Sequence, residues 1–350
     1  MERSRAALPC RLASVARRRP NPEQRPAAEI TAPGPTGARY PPLVQPFRFG
    51  VQLAYARSGT DWAALARRAE SLGYDVLVMP DHLGRQLSPI AALSAAAAAT
   101  THLRVSCFVF ANDYRHPLML AREAVTLDVV SNGRFEMGLG AGWMTGDYRQ
   151  LGMAYDPPPL RIDRLTEAVP LMKRLLTGDK VTHQGEHYRM DGASVGIKPV
   201  QKPRPPLAIG GGKPRMLRLA AREADIVGLT PGFSAHGRPL VREATEGATR
   251  RKIEIVREAA GSRFDQLEIN VWLGDAGLVG SGNSLIGSLT AAARWLPVAL
   301  IGSPYVLYGT LGAARNTLLR RRDSLGISYY TIPGHAMESM APLVQALAGR

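Results

Sequence analysis

Asp81 and His82 stand side by side in Met79-Pro80-Asp81-His82, directly after an apolar stretch. An acid beside an imidazole can accept, donate or orient a proton near neutral pH. The competing reading makes Asp81 the cap of a turn and leaves His82 on the surface. Asn112 opens the run Asn112-Asp113-Tyr114-Arg115-His116-Pro117, where an amide could read the edge of a heterocycle and Asp113 to His116 suit a helix-capping loop. In Gly138-Leu139-Gly140-Ala141-Gly142-Trp143 the glycines permit close backbone approach to a ligand. This is not a dinucleotide fingerprint, because the G-x-G-x-x-G frame breaks at Trp143. Gly210-Gly211-Gly212-Lys213-Pro214-Arg215 places free amides and two cations at a helix start, a combination suited to phosphate. It lacks the Walker spacing, so nucleotide hydrolysis is not implied. His183-Gln184-Gly185-Glu186-His187 matches a zinc pattern that requires a helix. Gly185 instead reads as the turn of a hairpin and no third ligand is present, so no metal is expected.

Elements that could hold these residues follow from the apolar pattern. Strand-length runs fall at 49–54, 75–80, 103–110, 135–140, 207–210, 225–229, 267–272 and 327–332, and each precedes a helical pattern. Thr60 is placed to cap the first helix, whose apolar face is Trp62, Leu65, Ala69 and Leu72, with Gly73 closing it. Pro89 and Pro117 suit first-turn positions, and Pro170 should kink the helix that contains it. Near-continuous apolar strands separated by helices imply a parallel sheet covered on both faces. Eight such units over this length predict an α/β fold closed as a (β/α)₈ TIM barrel, with its chemistry at the carboxyl ends of the strands.

Composition narrows the class further. The 350 residues are 45% hydrophobic and 21% charged, with no apolar run long enough for a membrane span. Cys10 and Cys107 cannot build a disulfide framework, which fits a reducing cytoplasm. The net charge of +15 invites a nucleic-acid reading, but arginines are scattered and no aromatic-interleaved basic motif or helix-turn-helix is present. Residues 1–46 are rich in arginine and proline, and are expected to be a disordered extension ahead of a barrel spanning 47–350. Pro9, Cys10 and Arg11 interrupt its apolar stretch, which argues against a secretory signal.

Taken in order, Pro80-Asp81-His82, Tyr114-Arg115-His116-Pro117, Leu127-Asp128 with Ser131-Asn132-Gly133-Arg134, the Gly138 to Trp143 run and Gly210-Gly211-Gly212 resemble the luciferase-like monooxygenase superfamily. Within it they resemble the branch dependent on the deazaflavin coenzyme F420. Pro304-Tyr305-Val306-Leu307, Gly309-Thr310 and Leu325-Gly326-Ile327 look like the same branch. The resemblance implies a bacterial-luciferase-type barrel with the cofactor in its mouth and the cofactor phosphate near Gly210, Gly211, Gly212 and Lys213. It implies a bulge in the third strand with a cis peptide at Cys107-Phe108, and a pocket lined by Ala141, Gly142 and Trp143, with Asn112 nearby. Asp81 and His82 then lie at the reacting ring edge. Trp143 stands where the sugar-phosphate dehydrogenases of the branch carry a proposed proton-donating glutamate, so glucose 6-phosphate oxidation is not expected. The resulting expectation is an F420-dependent oxidoreductase moving a hydride to or from a small organic substrate, with His82 handling the proton. The alternatives are an FMN-dependent monooxygenase and a non-catalytic flavin or F420 binder. No nucleic acid or membrane partner is expected, and a homodimer is compatible with the resemblance. Glycines between Gly274 and Gly282 have no local explanation.

Overall fold

The computed structural model of the chain describes residues 45–233, 238–279, 295–299 and 302–350. The extension expected over 1–46 lies outside the described residues except for its last two, as do Cys10 and Gly280 to Asn283. Eight parallel strands close in the order β1-β12-β9-β8-β7-β4-β3-β2. They are β1 (Arg48–Gln52), β2 (Val76–Met79), β3 (Arg104–Ala111), β4 (Phe135–Gly140), β7 (Leu207–Gly211), β8 (Ile226–Leu229), β9 (Glu268–Trp272) and β12 (Ile327–Pro333). Helices α1 (Gly59–Ser71), α2 (Pro89–Ala99), α3 (Pro117–Val130), α4 (Thr145–Leu151), α5 (Pro158–Thr177), α6 (Pro214–Glu223), α7 (Glu246–Ala260), α8 (Leu311–Leu325) and α9 (Met337–Leu347) connect and cover them. The closed barrel expected from the alternation of strand and helix patterns is therefore the observed fold.

Two small sheets decorate it. β5 (Val181–Gln184) and β6 (Arg189–Ala193) form the antiparallel hairpin expected around Gly185. Glu167 on α5 anchors it, accepting from the His187 and Tyr188 amides at 3.0 and 2.9 Å and pairing with His183 at 3.0 Å. β10 (Asp275–Leu278) pairs in parallel with β11 (Val306–Gly309) beside the barrel. Gly274 precedes this turn because the Trp295 indole occupies the space a side chain would need. One expected cap is corrected: Ser58, not Thr60, starts α1. Its backbone is extended, and its hydroxyl accepts from the Asp61 amide at 3.1 Å, three residues on.

Side chains alternate along each strand, so the barrel has two separate buried regions. Phe49, Leu77, Cys107, Phe135, Met137, Leu139 and Ile209 belong to the large outer core under the helices. Val76, Val78, Ala208, Ile226 and Tyr329 fill the interior, with Phe108 packed against them from above. At the amino-terminal end the interior is ionic. Glu136, 2% exposed, pairs with both Arg48 and Arg104, and Arg48 also donates to Glu268 at 2.6 Å. The Arg48 guanidinium lies 4.7 Å from the centre of the Tyr329 ring.

The two carboxylates titrate in opposite directions. Burial alone would raise Glu136, but Arg48 and Arg104 together bring it below its ordinary value. Burial pushes Glu268 up to about 7, because the Arg48 it pairs with is shared with Glu136. The folded chain therefore takes up a proton at Glu268, from a starting value of 4.5, and this contribution weakens stability as pH rises through 4.5 to about 7. Glu268→Gln is expected to gain about 1–2 kcal/mol over wild type at about pH 8 and much less near pH 5. Thermal unfolding at both pH values checks this. A variant no more stable than wild type at the higher pH would show that the Arg48 ion pair outweighs burial.

Candidate functional site

A cavity of about 480 Å³ opens at the carboxyl ends of the strands. It exists because the interior position nearest the mouth is glycine on two adjacent strands, Gly140 on β4 and Gly210 on β7, where other strands carry Gln52, Phe108 and Trp272. Gly228 on β8, in register with Gly210, leaves room as well: a side chain there would collide with the Phe108 ring, which drops into the barrel and seals its floor. A β-bulge between Cys107 and Phe110 turns Phe108 and Val109 toward the cavity. The cis peptide lies at Phe108-Val109, one residue beyond the expected Cys107-Phe108. Alignment of short motifs locates a bulge only to within a residue.

His82 lies on the cavity wall, and its Nδ1 is 2.7 Å from Oδ2 of Asp147 on α4. Asp147 is 1% exposed, and its other oxygen accepts from the Leu83 amide at 3.2 Å. The Tyr114 hydroxyl donates to the same Oδ2 at 3.2 Å. Burial and then the Asp147 charge push the Tyr114 phenol above its ordinary value, so it stays a neutral donor. A carboxylate accepts only, so the His82 Nδ1 carries the proton and Nε2 is left at the cavity wall. Sequence reasoning found His82 and missed Asp147. The pair is 65 positions apart, and no spacing rule links the residue after β2 to the first turn of α4.

Asp81 sits next to His82 but is otherwise engaged. Its carboxylate takes two bonds from Arg115, at 2.6 and 3.1 Å, and one from the Ala111 amide at 3.1 Å. The geometry makes it a tie between the ends of β2 and β3, and it lines the cavity beside His82. Asn112 is 2% exposed, donates to the Tyr188 hydroxyl at 2.8 Å, and is not among the cavity-lining residues. Cys107 is fully buried in the outer core, behind rather than in the cavity. The strand alternation that turns Phe108 inward turns Cys107 outward. His116 does cap α3, accepting from the Leu118 amide at 3.2 Å.

Ala141, Gly142 and Trp143 line the cavity as a clamped loop. Gly142 has φ +71°, and a side chain there would collide with the Tyr148 hydroxyl. That hydroxyl donates to Asp113 at 2.8 Å, and Arg161 donates to the carbonyls of Ala141 and Gly142. At the β7 end, Gly210 and Gly211 line the cavity but Gly212 and Lys213 do not. Gly212 is pressed against the Thr230 carbonyl. The two cations after it form exposed ion pairs, Lys213 with Glu243 at 2.8 Å and Arg215 with Asp163. Gln52, Met216, Thr230, Phe233 and Trp272 also line the cavity, and none was legible as a site residue. Each is an ordinary core or strand-end residue until the barrel closes.

Residues 43–262 match the model of the luciferase-like monooxygenase family. The F420-dependent glucose-6-phosphate dehydrogenase of Nakamurella multipartita is 32% identical over 224 residues, covering 60% of this chain and 65% of that protein. The matched stretch is thus less than two thirds of that relative's length. Among solved structures, the coenzyme F420 dependent tetrahydromethanopterin reductase of Methanopyrus kandleri superposes with a TM-score of 0.69 at 18% identity, covering 86% of this chain and 99% of that one. An F420-dependent secondary alcohol dehydrogenase in complex with an F420-acetone adduct superposes with a TM-score of 0.71 at 19% identity, covering 86% and 99%. At those identities the likeness is one of fold. Among the described residues, no helix is long and apolar enough to cross a membrane.

Proposed function

The chain belongs to the luciferase-like monooxygenase family, and we propose that it is an F420-dependent oxidoreductase in which His82 handles the proton that accompanies hydride transfer. The observation that carries this reading is the His82–Asp147 pair on the wall of a cavity whose floor has no side chains at Gly140 and Gly210. The bare backbone at Gly140 and Gly210 leaves room for a flat ring. The cavity volume lies in the usual range for cofactor and ligand sites, about 300–1,000 Å³. Phe108, Val109, Gly140, Ala141, Gly210, Gly211 and Met216 would hold the ring. When bound, the deazaflavin supplies the hydride acceptor or donor.

The chain's own residues do the rest. Asp147 and Tyr114 hold the imidazole in one orientation, so Nε2 can take a proton from a substrate hydroxyl or return one to a carbonyl oxygen. Asp81 and Arg115 keep the ends of β2 and β3 together beneath it. The Arg161 clamp keeps the loop from Ala141 to Trp143 against the cavity. The glycine-rich turn after β7 offers backbone amides to a phosphate, with Lys213 and Arg215 beside it in exposed ion pairs.

Parallel fluorescence titrations of the full-length protein with oxidised F420 and with FMN test the cofactor. Saturable binding of F420 with FMN at least about tenfold weaker, a difference of about 1.4 kcal/mol, is expected. Preference for FMN would replace this reading with a flavin monooxygenase, and binding of neither would remove the redox function.

A further inference from the structure

One wall of the cavity is aromatic and built from three strand ends. Trp143, after β4, is 37% exposed and stacks on Phe233, after β8, with ring centres 5.4 Å apart and planes 24° from parallel. Phe233 meets Trp272, the last residue of β9, edge to face at 6.2 Å. The Trp272 indole nitrogen donates to Gln52 at the end of β1. Trp295, 2% exposed, backs both Trp272 at 5.6 Å and Phe233 at 6.4 Å. The His82 and Trp143 rings lie perpendicular to each other with centres 5.5 Å apart. The proton-handling group and the aromatic wall therefore face the same space, and each ring is pinned by a neighbour.

The charge around that space is equally informative. Among the described residues, no lysine or arginine lines the cavity; its ionisable residues are His82, Asp81 and Tyr114. Asp81 is neutralised by Arg115. A phosphate or carboxylate brought against this wall would lose its water with no countercharge to replace it, which is strongly unfavourable. A flat uncharged ring would gain stacking and bury apolar surface on Trp143 and Phe233.

We propose that the substrate is an uncharged, flat, largely apolar molecule with a single oxygen function, of the aryl or cyclic ketone and alcohol class. It stacks on Trp143 and Phe233 with its oxygen at His82 Nε2. This deepens the F420 reading and rests on it only in assigning the glycine floor to the cofactor. The aromatic wall stands on its own geometry.

The test loads the full-length protein with oxidised F420 and titrates it calorimetrically with acetophenone and with glucose 6-phosphate. Trp143→Ala and Trp143→Phe are titrated alongside. Saturable acetophenone binding is expected, at least about tenfold weaker in Trp143→Ala and largely retained in Trp143→Phe, with no saturable binding of glucose 6-phosphate. Binding of the sugar phosphate, absence of acetophenone binding, or acetophenone binding unchanged in Trp143→Ala would overturn the proposal while leaving the F420 reading intact. If F420 itself does not load, that reading falls. Acetophenone titrated into the cofactor-free chain then decides the aromatic wall by the same variant criterion.

Discussion

Replacing His82 with alanine is expected to lower kcat/KM by about 10²–10⁴-fold, the usual contribution of a positioned acid or base, while F420 binds as before. The readout is F420 absorbance, with acetophenone or 1-phenylethanol as the reacting partner. The cause is specific to one atom. In the proposed function His82 Nε2 exchanges the proton at the cavity wall, and the other ring nitrogen, Nδ1, is committed to Asp147 at 2.7 Å. Alanine leaves the cavity floor at Gly140 and Gly210 untouched, so cofactor affinity should not change. Asp147 is 1% exposed and is not among the cavity-lining residues, so in this reading it is a positioning residue. Asp147→Asn can present its amide nitrogen to Nδ1 and so favour the wrong tautomer. A loss of about 10–10³-fold in kcat with little change in KM is expected, and Asp147→Glu should recover part of it. If both Asp147 variants lose activity through KM alone, or if His82→Ala stays within about threefold of wild type, the proton-handling assignment is wrong.

The largest expected loss of stability comes from the opposite end of the barrel. Glu136→Gln should cost about 3–5 kcal/mol, the range for breaking a buried ion pair by removing one partner. Glu136 is 2% exposed and pairs with both Arg48 and Arg104. Without its charge, Arg48 keeps only Glu268, which burial already pushes up to about 7, and Arg104 keeps only neutral partners, Gln201 and the Phe135 carbonyl. Urea unfolding near pH 7 should show a lower midpoint with an unchanged slope. Wild-type stability also depends on this carboxylate being charged. Its folded-state value is lowered, so its stabilising effect is present above the ordinary carboxylate range and is lost as pH falls through its folded-state value. A cost below about 1 kcal/mol would mean that water reaches the cluster and screens it.

These two predictions concern residues that differed in how far the sequence revealed them. His82 follows an apolar run and a proline, so its place at a strand end could be read directly. Glu136 lies inside the run 135–140, which reads as an apolar strand, and its charge gives no sign of its partners. Arg48 and Glu268 join it from strands 88 and 132 residues away, brought in by closure of the sheet (136 − 48 = 88 and 268 − 136 = 132). The same limit separates motif from cavity: Cys107, Asn112 and Lys213 stand beside motifs in the sequence but are not among the cavity-lining residues. Strand alternation turns Cys107 outward, the hairpin tyrosine takes Asn112, and Glu243 takes Lys213.

The amino-acid sequence by itself determined the eight strands, the helices between them, the barrel they close, and the strand end that carries His82. Those features depend on local periodicity, proline and glycine chemistry and the burial of apolar runs, all of which act over a few residues. Tertiary structure alone decided that Asp147 orients His82, that Phe108 seals the barrel beneath Gly140 and Gly210, and that Trp143, Phe233 and Trp272 form one wall. Each of those relations joins residues from different βα units. Only the closed sheet, whose strand order and register bring distant strand ends to one rim, sets the distances between them.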